Sequence, residues 1–105
     1  MRTLYEIERP LVAYLLELAS IPMDLDSLQV APMPDGGMGS LAIAPFGGRK
    51  FGSSRAACHF YDSDGVMVSA ELNVDQNGTP FEVDVWKVDF TQLRAWPMRQ
   101  CRFRG

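Results

Sequence analysis

VMVSAELNVDQNGTPFEVDVWKVDF, running from Val66 to Phe90, decides the fold of this chain. Val66, Val68, Ala70, Leu72 and Val74 alternate with Met67, Ser69, Glu71, Asn73 and Asp75. A period of two marks a strand with one covered face and one wet face. Asp75-Gln76-Asn77-Gly78 predicts a hairpin turn, because Asn-Gly tolerates the positive φ of tight turns. Beyond it, Phe81, Val83 and Val85 continue the apolar side, with Glu82 and Asp84 on the other. The alternation then reverses. Trp86, Val88 and Phe90 share parity with the acids, while Lys87 and Asp89 take the apolar parity. A bulge near Val85-Trp86, or a second packing surface there, is the expectation that reconciles the two halves.

Working outward, Ala56, Cys58 and Phe60 alternate with Ala57, His59 and Tyr61 in a further strand, closed by a turn at Asp62-Ser63-Asp64-Gly65. Met38 to Ala44 reads as another strand. Leu28 to Met33 reads as a short one that Pro32 and Pro34 confine to an edge. The stretch from Phe46 to Gly52 reads as a flexible basic loop. Ile7, Leu11, Tyr14, Leu15 and Leu18 recur at helical spacing, with Val12 and Leu16 widening the stripe, so a helix is predicted over residues 6–19. Pro10 must then sit in its first turns, and Ile21-Pro22 is the expected stop. The expected fold class is α+β: an N-terminal helix packed on an antiparallel β-meander of four to five strands, in two layers. Residues 1–93 read as a single domain and 94–105 as an arginine-rich C-terminal tail.

Composition bounds the function. The chain has 105 residues, 47% hydrophobic and 22% charged, which suits one folded domain rather than a disordered segment. No apolar run approaches the roughly 20 residues of a membrane span. With 13 acids against 10 bases the net charge is −3, which disfavours nucleic acid as a partner. Glu6 and Glu8 offset Arg2 and Arg9, and Glu17 interrupts the apolar stretch after them, so the N-terminus does not read as a secretory leader. A cytoplasmic location is the expectation. Cys58 and Cys101 are too few for a disulfide framework or a metal knuckle and read as free thiols, with a long-range disulfide left open. Charge is unevenly spread. Residues 62–90 hold seven acids against Lys87 alone, whereas residues 91–105 hold four arginines and no acid.

Asn73, Asp75, Asn77, Gly78 and Asp84 fall at ligand places of a calcium-loop template, but Pro80 and the strand-like flanks favour a plain hairpin. Gly36-Gly37-Met38-Gly39-Ser40 and Gly47-Gly48-Arg49-Lys50 lack the spacing that cradles phosphate. No metal or cofactor is expected. His59 is the single histidine, and its neighbour Cys58 points to the opposite strand face, so the two cannot act as a dyad. Acid–base chemistry through His59 and the carboxylates Glu71, Glu82 and Asp84 stays open as an alternative, and no catalytic residue is assigned.

The stronger pattern is an interface. Glu71, Asn73, Glu82 and Asp84, joined by Asp75, predict one acidic face beside Trp86. Acids around a large amphipathic ring suit a basic protein partner, the ring anchoring and the charges steering. The competing reading makes Trp86 core and the acids mere solvated surface. The arginine tail could instead fold back, or reach the acidic face of a second subunit in a homodimer.

Asp35-Gly36-Gly37-Met38-Gly39-Ser40, and the block from Glu82 to Phe90 followed by Leu93, resemble a family of small uncharacterised bacterial proteins known only as a domain of unknown function. The resemblance runs over residues 1 to about 93, leaving out the arginine-rich end with Trp96-Pro97, and Pro10 departs from its helix. It implies a single α+β domain and transfers no catalytic residues. The expected function is therefore a non-enzymatic protein-binding domain, in its concrete form an immunity or antitoxin-like inhibitor, by analogy with small acidic proteins of that kind. A small ligand-binding protein or enzyme using His59, and a structural self-associating domain, are the alternatives.

Overall fold

A computed structural model describes residues 1–97 and 103–105. Its elements are β1 (Arg2–Thr3), a 3-10 turn (Glu6–Glu8), α1 (Arg9–Ala19), β2 (Gln29–Pro32), β3 (Leu41–Ile43), β4 (Phe51–Tyr61), β5 (Met67–Asp75) and β6 (Pro80–Lys87). The strands form one sheet in the order β1-β2-β3-β6-β5-β4, every neighbouring pair antiparallel. The fold is α+β, with one α-helix and a sheet of six strands among the described residues rather than four to five. Nor is the sheet a simple meander. β4, β5 and β6 follow one another as hairpins, but β3 pairs with β6 (Leu41 with Val83, Ala42 with Glu82), so the chain crosses from the sheet centre to its far edge between β3 and β4. Phe51 and Gly52, read from sequence as the end of a loop, instead begin the long edge strand β4, which also takes in residues 53–55 ahead of the expected start at Ala56.

One face of the sheet is covered. Cross-strand pairing lines up the rows Phe60–Val68–Lys87, Cys58–Ala70–Val85 and Ala56–Leu72–Val83–Leu41, all buried except the partly buried Ala56. The helix lies over β4 and β5 and buries Leu11, Val12, Leu15 and Leu16. That face is rotated from the predicted stripe: Ile7 and Leu18 are exposed, and Tyr14 is only partly buried. Pro10 sits in the first turn, where a missing N–H costs nothing. The helix ends at Ala19, two residues before Ile21. Ser20 adopts the left-handed conformation (φ 56°, ψ 38°) and Ile21 N–H returns to Leu16 O at 3.0 Å, a C-cap that satisfies the last carbonyls.

The predicted bulge at Val85-Trp86 is absent. Pairing runs unbroken from Glu71↔Asp84 through Ala70↔Val85 and Ser69↔Trp86 to Val68↔Lys87, and the irregularity falls between Asn73 and Val74, where Phe81 is the extra residue. The parity reversal has another cause: Lys87 is a buried residue of the covered face, with no solvent exposure. A second irregularity surrounds Gly52, where an added Cβ would collide with Asp75 O. Only glycine lets the two backbones approach so closely.

The far end of the chain enters the same core. Phe103 is buried against Phe60 (ring centroids 5.5 Å apart) and Tyr14 (5.3 Å). Arg104 then bridges the outer edge of β4, exchanging two 2.8 Å backbone hydrogen bonds with His59. Cys58 carries a buried free thiol, whose pKa burial pushes up to about 11. Arg99, Cys101 and Arg102 lie outside the described residues, and so does the question of their pairing. No helix among the described residues is long and apolar enough to cross a membrane.

Phe103→Ala is expected to cost about 3–4 kcal/mol, as truncations of large core aromatics do. Phe90→Ala, at a residue 75% exposed, should change stability by less than about 0.5 kcal/mol. Urea unfolding midpoints of the two variants check the contrast, and equal midpoints would contradict the placement of Phe103.

Candidate functional site

The face of the sheet away from the helix carries the polar parity of β5 and β6. Register places Glu71 opposite Asp84, Asn73 opposite Glu82, and Ser69 between Trp86 and His59. Five of the six residues singled out from sequence thus meet on one face. Glu71, Glu82, Asp84 and Trp86 are partly exposed there, so Trp86 is not a member of the core. Asn73 is buried at 4% exposure, and its Nδ2 donates to Glu82 Oε1 at 2.9 Å. Ser40 Oγ reaches Asp84 at 3.4 Å. The ion pairs among the described residues (Arg2–Glu8, Arg9–Asp26, Arg49–Asp75, and Lys87 and Arg94 with the 62–64 turn) all lie elsewhere.

Asp75 is engaged inward. Its Oδ1 accepts from Asn77 and Thr79 N–H, and its Oδ2 from Arg49 Nε at 2.9 Å. The Thr79 N–H, with the Arg49 guanidinium and the Asn77 N–H, holds its carboxyl below the ordinary range against the opposing effect of desolvation. Arg49 also donates to the carbonyls of Ile43, Pro45, Thr79 and Pro80, clamping the 44–49 loop to the hairpin. The calcium-like spacing is accordingly a hairpin in which the central carboxylate serves its own backbone. His59 lies on the same open face as Trp86, partly exposed and edge-on to Tyr61 at 6.1 Å. Its ring makes no hydrogen bond among the described residues.

A second cluster escaped the sequence reading. Lys87 Nζ donates to Asp62 Oδ2 at 2.9 Å and to Asp64 Oδ2 at 2.5 Å, and lies 3.4 Å from Gln92 O. Asp62 also accepts the N–H groups of Ser63, Arg94 and Ala95. Burial alone would raise the Asp62 carboxyl, but the Arg94 N–H, the Lys87 ammonium and the other two N–H groups outweigh it and hold the pKa at about 2. Desolvation likewise works to lower Lys87, and its hydrogen bonds to Asp64 and Asp62 outweigh this and raise it. The signal was present as a lysine at an apolar parity, facing two aspartates in a turn.

The Asp35–Ser40 loop is the partner of this corner. Asp35 accepts from Gly37, Met38 and Ser40 N–H. Ser40 Oγ accepts from Val85 N–H (2.8 Å) and donates to Val85 O (3.0 Å). Gly37 O accepts from Leu93 N–H, and Gly39, at φ +106°, leaves room for Trp96, whose ring carbon would lie 2.8 Å from an added Cβ. The glycines serve a docking seat for the 92–96 segment.

Fold and site together define a small α+β domain with one helix-covered sheet face and one open, acid-rich face. The chain belongs to a family described as a domain of unknown function, DUF6984, whose model matches residues 1–97. The match takes in Trp96 and Pro97, past the limit near residue 93 suggested by the sequence blocks, in keeping with the packing of Trp96 on Gly39. No curated protein and no solved structure matches the chain.

Asp62→Asn should cost about 3 kcal/mol, because it removes one partner of a buried ion pair. The Asp62 pKa of about 2 lies below the roughly 3.9 of an unfolded aspartate. The stability it contributes is therefore complete above about pH 4 and is lost as pH falls towards 2. Urea midpoints measured across that window should fall steeply for the wild type and less steeply for Asp62→Asn.

Proposed function

We propose that this is a non-enzymatic protein-binding domain whose open sheet face, formed by Glu71, Glu82, Asp84 and Trp86, docks a basic partner. The observation that supports the reading is the direct opposition of Glu71 and Asp84 across β5 and β6. Like charges facing one another weaken a sheet, and the ion pairs that would relieve them lie elsewhere among the described residues. A cationic partner removes that repulsion on binding, and the indole of Trp86 offers a large contact area at little entropic cost. The concrete form is an inhibitor of the immunity or antitoxin kind, acting in the bacterial cytoplasm by covering a basic surface of its target.

The test compares immobilised wild type with Glu82→Lys/Asp84→Lys as baits for proteins of a bacterial extract. A basic protein should be retained by the wild type and lost from the double variant. Its association rate with the wild type should fall about tenfold or more as salt is raised, as electrostatic steering requires. Retention indifferent to both the charge reversal and salt would overturn the proposal.

A further inference from the structure

Asn73 Oδ1 is the one buried side-chain nitrogen or oxygen without a hydrogen-bond partner among the described residues. Its orientation is set by its neighbour. The Glu82 carboxylate can only accept, so it takes the amide N–H group, and the carbonyl oxygen is left over. A buried acceptor with no donor is costly, and Asn73 is buried at 4% exposure. On the β6 side Glu82 stands opposite Asn73 and Glu71 opposite Asp84, and on the β4 side Ser54 stands opposite Asn73 without hydrogen-bonding its Oδ1. This two-by-two block offers acceptors almost exclusively.

The complementary ligand carries donors alone and positive charge. A calcium ion needs six to eight oxygens converging at about 2.3–2.6 Å, whereas successive same-face residues along a strand are roughly 7 Å apart. A guanidinium is planar, holds five N–H donors and no acceptor, and bridges separated carboxylates through its fork. The indole of Trp86, two residues beyond Asp84 on the same face, adds an aromatic surface of the kind on which guanidinium groups stack.

Resting on the docking role proposed for this face, we propose that its anchor is an arginine side chain of the partner protein, whose guanidinium is held by Glu82, Asp84 and Asn73 Oδ1. The full-length, 15N-labelled chain is titrated with N-acetyl-arginine amide, and with the citrulline and lysine amides at matched ionic strength. The arginine compound should give saturable shifts of the Asn73 side-chain amide and the Trp86 indole N–H. Citrulline, which is nearly isosteric but neutral, should bind about tenfold more weakly, since charge-assisted bonds are the strong ones. Lysine should fall between the two. Asp84→Asn, checked for a dispersed spectrum, should weaken arginine binding about tenfold.

Citrulline or lysine binding as tightly as arginine would overturn the assignment, as would an unmoved Asn73 amide or an unaffected Asp84→Asn variant. A captured partner that depends on Glu82 and Asp84, without arginine selectivity, would leave the docking role standing and remove the arginine anchor. Selective arginine binding without any charge-dependent partner would do the reverse.

Discussion

The ammonium of Lys87 is buried on the covered side of a central strand, in line with Val68 and Phe60. An unpaired charge there would be prohibitive, so the folded chain must deliver counter-charges to it. Asp62 and Asp64 come from the β4–β5 turn, and the Asp62 carboxylate in turn fastens the backbone at Arg94 and Ala95. The β4–β5 turn, the end of β6 and the segment at Arg94 and Ala95 are thereby tied through one carboxylate. The segment after β6 becomes a strap held against the Asp35–Ser40 loop.

That corner explains why the two sequence blocks behind the family resemblance lie so far apart in the chain. The glycine-rich loop supplies Ser40 as a surrogate backbone partner to Val85, and Met38 Sδ accepts the Lys87 N–H at 3.3 Å. One block is the seat and the other is what sits in it. The helix and the Phe103 ring close the remainder of the core on the β4–β5 side, leaving the opposite face of the sheet open.

The two charge clusters therefore have different physical characters. Around Lys87 the opposite charges are matched and spent internally, and Arg49 with Asp75 does the same at the other end of the hairpin. On the open face Glu71, Glu82 and Asp84 stand together with a half-satisfied amide between them. The matched clusters hold the fold together, while the unmatched one is the feature on which the proposed docking role rests.

Alternation from Val66 to Asp75 and again from Phe81 to Val85, with the Asn77-Gly78 turn between, was enough, as bare sequence, to determine the β5–β6 hairpin, its covered valines and the common face of Glu71, Asn73, Glu82, Asp84 and Trp86. Side-chain direction in a strand depends only on parity, which is a local property. Topology is not local. The pairing of β3 with β6, the start of β4 at Phe51 and the rotated face of α1 depend on which surfaces meet, and short strands such as Leu41–Ile43 carry too little pattern to say. Lys87 shows the division most sharply: its parity was legible, but only the approach of Asp62 and Asp64 through the tertiary fold makes burying a lysine tolerable. Asp75 shows the converse, since an acid in register with the open face was claimed instead by Arg49, 26 residues earlier in the chain.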